Sequence, residues 1–372
     1  MLELGGAQEN TLYTCGNLNK EKFDVFLITG PGGILDKKTD KIRTYFVKEL
    51  IREICPIYDF IALIKIYKIL KKERPDIVHT HSSKAGILGR WAAYLLRTSD
   101  FGLRTMKIIH TFHGFGFHDF QNFIVKSIFV NIERITAKIS DILIAVAHDN
   151  VKKGLNNKIG KKGQYIVIRS GIKLQDYKKT VDTANIKKGL GITSEPVVGM
   201  IACFKKQKSP LDFVHTARYV CDEKPETKFL LVGDGALRPK IESLIKKLNL
   251  EKNVILTGWR NDVPEMIKVF DVLILTSIFE GLPKVVVEAM ASGVPVVATY
   301  VDGTKEIVQE GLTGFFVRPH ENQKMAERIV RLLNNPELRK SFSEQAIKYV
   351  REFDIDLMVR QQEELYQKLL GG

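Results

Sequence analysis

The sequence predicts an α/β protein made of two doubly wound, parallel-sheet domains of similar size. Three observations carry this reading. The chain has 372 residues, more than one hydrophobic core usually spans. Short β-branched runs alternate with amphipathic stretches, and continuous apolar strands separated by helices mean a parallel sheet covered on both faces. The alternation then restarts after residues 169–172.

In chain order, strands are expected at 23–29, 77–80, 107–111, 142–146 and 165–168, with helices between them. The second half gives strands at 196–203, 228–232, 253–257, 272–275 and 294–298. Its helices are expected at 211–222, 237–248, 263–270 and 284–292. The segment 355–370 reads as one more helix, long enough to cross back onto the first domain. The predicted division is therefore 1–169, 170–353 and a C-terminal helix over 354–372. One part of the pattern is missing: a doubly wound domain needs a central first strand feeding its first phosphate-binding turn. Gly5-Gly6 resembles that turn, yet only residues 1–4 precede it. The first strand of the N-terminal domain is expected to be absent, either because the start lies upstream or because this is a fragment.

Composition narrows the function classes. With 44% hydrophobic and 27% charged residues, disordered and collagen-like chains are excluded. The greasiest stretches, 61–70 and 142–147, are too short or broken by Lys to span a bilayer. The N-terminal residues lack a secretory pattern, which points to the cytoplasm. Cys15, Cys55, Cys203 and Cys221 lie far apart, without zinc spacing, and read as reduced thiols. Net charge is +14 and uneven: residues 1–170 hold 27 Lys and Arg against 16 Asp and Glu, a net +11, which leaves +3 for the rest. A basic half suits a phosphate-rich surface such as nucleic acid, an anionic bilayer or lipid-linked phosphates. A lysine-rich background would not spare the second half.

Open α/β sheets bind ligands at the carboxyl ends of their strands. Gly5-Gly6-Ala7-Gln8 opens a helix whose N–H groups could hold an anion, although an ordinary tight turn reads the same way. Gly30–Gly33 lacks the Lys-Ser/Thr of a P-loop and reads as a turn. The strand ending near Cys203 runs into Phe204-Lys205-Lys206-Gln207-Lys208-Ser209-Pro210, a loop whose three lysines suit a diphosphate. Gly233-Asp234-Gly235 reads as a turn beside it. The densest signal is Glu280-Gly281-Leu282-Pro283-Lys284-Val285-Val286-Val287-Glu288. Pro283 suits the first turn of a helix, which places Glu280 on the entering loop and Glu288 within the helix. Eight helical residues rise roughly 12 Å, more than the roughly 5–9.5 Å separating paired glycosidase carboxylates. Two acceptors so far apart instead suit hydroxyls on two different sugars.

This block, with FEGLPKVVVEAMASGVPVVAT around it, resembles the Glu-x7-Glu signature of the retaining nucleotide-sugar glycosyltransferases of family 4. That family has the GT-B fold, two Rossmann-like domains facing across a cleft. The resemblance covers almost the whole chain: GGAQ at residues 5–8, HTFHGFGF at 110–117, VIRSGI at 167–172, then QKSP, VGDG and LTGWRNDVPEM in order. It implies that Glu280 hydrogen-bonds the donor sugar, with the N–H groups of Gly281 and Leu282 nearby, and that Glu288 accepts from the ribose hydroxyls. It further implies that Lys208 binds the diphosphate with Gly5 and Gly6 approaching from the other domain, that Gly258, Trp259 and Arg260 lie by the base, and that His113 lines the reacting sugar's site. Many members carry Arg where this chain has Cys203, so either Lys205 supplies the second positive charge from a shifted position or diphosphate binding is weaker. No DxD-type acidic pair follows a strand, so neither a metal nor another cofactor is expected.

His79, His81, His110, His113 and His118 cluster at two strand ends without metal-ligand spacing; His79 reads as a packed strand residue. His81, Ser82, Ser83 and Lys84 open a helix and offer hydroxyls, an ammonium and N–H groups to an acceptor anion, although serines are common helix caps in any case. Phe115, Phe117, Phe120, Phe123 and Phe129, interleaved with Lys126 and Arg134, suit a bilayer interface or equally a buried helix. The expected activity is transfer of a hexose or N-acetylhexosamine from a nucleotide-diphosphate sugar, UDP by resemblance, to a lipid-linked saccharide in surface-polysaccharide biosynthesis. The enzyme is expected to be peripheral on the inner face of an anionic membrane, without a nucleic-acid partner. A nucleotide-sugar epimerase would need no acceptor. A nucleic-acid-binding protein would bind any duplex with a steep salt dependence.

Overall fold

Aliphatic, β-branched and aromatic residues fill most strand positions, as sheets covered on both faces demand. The computed structural model describes residues 2–3, 5–117 and 121–371; His118 and Phe120 lie outside the described residues. The chain divides into two units, residues 1–171 with 355–372, and residues 172–354.

The first unit carries Phe26–Thr29 (β1), Arg43–Phe46 (β2), Ile77–His81 (β3), Lys107–Phe112 (β4), Ile142–Ala145 (β5) and Tyr165–Val167 (β6). All pairings are parallel, but they form two sheets: β1 with β2, and β3-β4-β5-β6. One face of the larger sheet packs Val78 and Ile108 beneath helices Pro56–Glu73 and Ser83–Ser99. On the other, Ile109, Ile144 and Ile168 meet the C-terminal helix Ile355–Leu369. That helix belongs here because Ile355, Met358, Val359, Gln362, Leu365 and Tyr366 recur at helical spacing and are all buried. Tyr13 Oη donates to Asp356 Oδ1 at 2.6 Å and the Asn19 N–H to Glu363 Oε1 at 2.6 Å, tying the helix to the first-unit residues beside it.

The second unit carries Val197–Ile201 (β7), Lys228–Val232 (β8), Val254–Gly258 (β9), Val272–Leu275 (β10), Val296–Thr299 (β11) and Gly314–Val317 (β12). They form one six-stranded parallel sheet in the order β12-β11-β10-β7-β8-β9. This is the doubly wound order in which the chain's first strand is central and the crevice beside it binds ligands. β7 pairs on both sides, and Val197, Val198 and Met200 have no accessible surface.

β2 and β12 are absent from the sequence-based expectation. Both are four-residue edge strands, and β2 reads Arg43-Thr44-Tyr45-Phe46 with both ends exposed. An edge strand paired on one side needs no continuous apolar run, so its signal is weak. The remaining strands shift by a few residues at their ends.

Candidate functional site

The carboxyl end of the second unit's sheet assembles the polar groups. After β7 the chain runs through Phe204, which is fully buried and anchors the loop, to the short turn Lys206–Lys208. Lys208 leads through Ser209, in the left-handed region at φ 44°, into helix Pro210–Glu223, which has Pro at its N-terminal turn. After β10 the chain passes Thr276 and Ser277, both buried, to Glu280, which is 8% exposed. The two loops are stitched together. Thr276 Oγ1 lies 2.8 Å from the Lys208 carbonyl and 3.0 Å from that of Ser209. The Ile278 N–H donates to the Gln207 carbonyl at 2.9 Å, and Gln207 Nε2 to that of Phe279 at 3.0 Å.

Lys208 and Glu280 meet directly, Nζ to Oε1. Ser277 Oγ donates to the same carboxylate oxygen at 2.6 Å. Asp302 Oδ2, beyond β11, accepts the Glu280 N–H at 2.8 Å. Gly303 follows, and a Cβ there would lie 2.0 Å from the Gly281 carbonyl oxygen, so only glycine lets the two backbones approach this closely. Pro283 caps helix Lys284–Ala291 rather than occupying its first position, and Glu288 lies half-buried within that helix. Leu282 is buried and Gly281 half-buried. The arrangement is a preorganised cation and carboxylate, held by short side chains and by the backbone of the two loops.

Other predicted residues are more loosely placed. Lys205 is exposed, with its N–H bonded to the Cys203 carbonyl at 2.8 Å. Gly258 ends β9 at φ 70°, Trp259 is 57% exposed, and Arg260 pairs with Asp262. Gly233 and Gly235 press against Ala202 and the Phe204 backbone, so the Gly-Asp-Gly turn supports the lysine loop.

In the first unit, Gly6 begins helix Gly6–Asn17, with Gly5 as its cap at φ 177°. Gly5 is extended and Gly6 helical, so the left-handed tight turn is not what this pair provides. Ser82 caps helix Ser83–Ser99 at φ 60° without a side-chain hydrogen bond. Lys84 is committed within the fold: it pairs with Asp59 and donates to the Glu53 carbonyl. An anion there would share Lys84 with Asp59, as one at Lys208 would share that lysine with Glu280.

The histidines form a packed cluster. His79 bonds Tyr366 Oη at 2.6 Å through Nδ1 and Thr111 Oγ1 at 2.7 Å through Nε2. His81 Nδ1 lies 3.1 Å from His113 Nε2, and His110 Nδ1 2.9 Å from Thr80 Oγ1. Burial, with a lesser push from His113, lowers the His79 pKa to about 3. Burial also holds His81 and His110 well below the ordinary imidazole value, with neighbouring cationic and imidazole groups adding to it. Neutral imidazoles that bond one another suit a rigid floor under His113, itself half-buried just after β4. The aromatic run is also corrected in part. Phe117 is 1% exposed and lies against the tilted ring of Phe115, centroids 4.9 Å apart, and Phe129 packs on the same cluster with Leu143 and Ile159. Phe123 alone of the described members stands in solvent, 80% exposed.

Ser277, Asp302 and Gln207 escaped the sequence reading. Their signal was positional, since Ser277 and Asp302 lie just past the carboxyl ends of β10 and β11, where an open α/β sheet places its ligand.

Comparison with known proteins assigns the architecture. The family description "Glycosyltransferase Family 4" matches residues 4–176, and "Glycosyl transferases group 1" matches residues 182–349. The chain is 32% identical over 369 residues, 98% of its own length and 94% of the relative's, to the UDP-Gal:alpha-D-GlcNAc-diphosphoundecaprenol alpha-1,3-galactosyltransferase of Escherichia coli. This chain belongs to glycosyltransferase family 4. The glycosyltransferase is also 30% identical, over 85% of its length and 80% of the relative's, to the N-acetyl-alpha-D-glucosaminyl L-malate synthase of Bacillus anthracis. Its fold is GT-B: the Anabaena protein HepE, solved in complex with UDP and glucose, superimposes with a TM-score of 0.84 at 20% identity, covering 99% of this chain and 97% of that one.

Proposed function

We propose that the enzyme transfers a hexose or N-acetylhexosamine from a UDP-sugar to a saccharide carried on a lipid diphosphate, in surface-polysaccharide biosynthesis, with retention of configuration and without a metal. The observation that carries the donor half is the Lys208–Glu280–Ser277 cluster at the carboxyl end of the second unit's sheet. The E. coli relative's name, a UDP-Gal transferase acting on a GlcNAc-diphosphoundecaprenol, supports the choice of donor and acceptor classes. Breaking the anomeric C–O bond leaves negative charge on the diphosphate and positive charge on the sugar. Lys208, with Lys205 as second cation, stabilises the leaving group, and a preformed charge costs no reorganisation at the moment of reaction. Glu280 accepts from a sugar hydroxyl, beside the Gly281 and Leu282 N–H groups, and Glu288 from the ribose. Gly258, Trp259 and Arg260 border the base. The acceptor oxygen attacks C1 on the face the diphosphate leaves, and its proton passes to the departing phosphate oxygen. His113, over its neutral histidine floor, lines the sugar site. Gly5 and Gly6 offer helix N–H groups to phosphate, and His81, Ser82 and Ser83 face the acceptor.

Lys208→Ala and Glu280→Gln, assayed with a panel of UDP-sugars and a lipid-diphosphate saccharide, should each lower kcat/KM by at least about 100-fold, the scale of losing one preorganised electrostatic group. Unchanged turnover in both variants overturns the assignment.

The membrane part rests on exposed apolar helix faces in the basic first unit. Helix Phe123–Ala137 presents Phe123, Ile124, Ile128 and Ile135, and helix Pro56–Glu73 presents Ile57, Phe60 and Ile64 beside exposed Lys65, Lys68, Lys71 and Lys72. Among the described residues no helix is long and apolar enough to cross a membrane. Such faces suit a helix lying in the headgroup region of an anionic bilayer. Sedimentation with anionic vesicles should exceed that with neutral ones and fall when Ile124 and Ile128 become Ser; equal binding to both vesicle types would refute this part.

A further inference from the structure

The turn that carries Lys208 is held in an uncommon way. Ser209 follows it in the left-handed region, at φ 44° and ψ 55°, where a non-glycine residue persists only if its surroundings fix it. Ser209 is also the N-cap of helix Pro210–Glu223. A serine there ordinarily accepts from a helix N–H, while an acidic residue three positions on reaches back to the cap's own N–H. Neither bond is made. Ser209 forms no side-chain cap bond, and its N–H donates to the Lys206 carbonyl at 3.1 Å. Its hydroxyl instead donates to Asp212 Oδ2 at 2.7 Å. Asp212 is buried, and two further side chains hold its carboxylate. His320 Nδ1 lies 2.8 Å from the same oxygen, and Asn322 Nδ2 donates to Oδ1 at 3.2 Å. Both stand just beyond β12: His320 is itself left-handed, at φ 67°, and Asn322 begins helix Asn322–Leu333. Every member of this cluster belongs to the second unit.

We propose that Asp212 is a positioning residue for the transfer reaction: it holds Ser209 in the left-handed region and thereby fixes where Lys208 stands. The Lys208–Ser209 backbone is clamped from two sides. Thr276 Oγ1 meets both carbonyls from the β10 side, and Asp212 takes the Ser209 hydroxyl from the helix side. A lysine ammonium rides on a flexible four-carbon stem, so its aim at Glu280 depends on a fixed backbone beneath it. His320 and Asn322 keep the Asp212 carboxylate from turning away. Stability of the helix alone would be served by the ordinary cap bonds. Their absence shows that the hydroxyl and the carboxylate serve the turn. A misplacement of about 1 Å can cost about 100-fold in rate, and loss of Asp212 relaxes the lysine without removing it, so about tenfold is expected. The kinetic consequence rests on the proposed role of Lys208; the displacement of Ser209 and Lys208 does not.

The test makes Asp212→Ala in the full chain and again in Lys208→Ala, as a double-mutant cycle. With Lys208 present, kcat with a UDP-sugar and a lipid-diphosphate saccharide should fall about tenfold. With Lys208 already removed, the same change should cost less than about twofold, because Asp212 acts only through that lysine. Asp212→Asn, whose amide oxygen still accepts from Ser209, should recover most of the loss. A crystal structure of Asp212→Ala should show Ser209 outside the left-handed region and Lys208 Nζ away from Glu280. Should Asp212→Ala not fold, Ser209→Ala, which removes only the hydroxyl, takes its place in both the cycle and the crystal. An equal effect in the two backgrounds overturns the proposal, since a merely structural loss does not depend on Lys208. So does a variant structure in which Ser209 and Lys208 keep their places, and so does an Asp212→Asn enzyme no better than Asp212→Ala. Full turnover by Lys208→Ala alone would instead sink the functional reading, and the variant structure would then decide whether Asp212 places the lysine.

Discussion

Glu280 shows how a single carboxylate is fixed in place by its neighbours, of which Ser277 and Asp302 have no part in the proposed chemistry. Its side chain is held by Lys208 and Ser277, and its N–H by Asp302. Asp302→Ala leaves that N–H without its acceptor and frees the loop, while touching neither Lys208 nor the carboxylate. Donor KM should rise about tenfold with a smaller change in kcat, and Asp302→Asn should recover most of the loss; an equal fall in kcat alone would refute the positioning role. Arg90 and Glu133 are the contrasting structural case. Both are essentially buried and joined at 2.7 Å, and Arg90 Nε also donates to the Gly86 carbonyl. Glu133→Ala strands a buried guanidinium and should cost about 3–5 kcal/mol in urea unfolding, whereas Arg90→Met with Glu133→Leu should cost less, since removing both charges removes the desolvation penalty. At this scale the sequence singled out Lys208 and Glu280, and the fold brings those two together. It could not reveal Ser277 or Asp302, whose only signal is the loop geometry around them. Nor could it reveal that Lys84 is paired with Asp59, far away in the chain.

Loops and strands succeed or fail on backbone approach. Gly303 lets the segment after β11 pass against Gly281, so Gly303→Ala should displace the Glu280 loop and weaken donor binding severalfold while unit 2 stays folded by circular dichroism. In β7, a Cβ on Gly199 would lie 2.3 Å from the Phe270 ring. Gly199→Ala therefore overpacks the core and should destabilise the unit by about 1–3 kcal/mol, read from the urea midpoint. Fully buried strands such as β8 and β10 were legible to the residue, because a parallel sheet covered on both faces writes itself as an unbroken apolar run. The edges β2 and β12 were not, since one-sided pairing tolerates Arg43 and Gly314. The phenylalanines near residue 120 show why composition alone misjudges a helix: Phe117 and Phe129 close a core cluster, and only Phe123 of the described members faces outward.

For the molecule as a whole, the buried histidines set the acid limit. His79 keeps a folded pKa of about 3, depressed chiefly by burial, while in the unfolded chain it returns to the ordinary value near 6.5. Between those values the unfolded state holds the extra proton. The stability that His79 contributes is therefore complete above pH 6.5 and lost as pH falls toward 3. Each such group approaches a slope of about 1.4 kcal/mol per pH unit, and His81 and His110 are shifted in the same direction. Urea midpoints measured from pH 7.5 to 5 should fall steadily, and His79→Gln should flatten the curve; a flat profile for the unaltered chain would contradict the packing of the cluster. By itself the sequence determined the two parallel-sheet units and the family, because these depend on periodicity and spacing along one dimension. The tertiary structure decided which charges are already paired, which aromatics remain in solvent and what orients Glu280. Those outcomes are set by contacts between residues far apart in the chain, where burial and backbone proximity have no local signature.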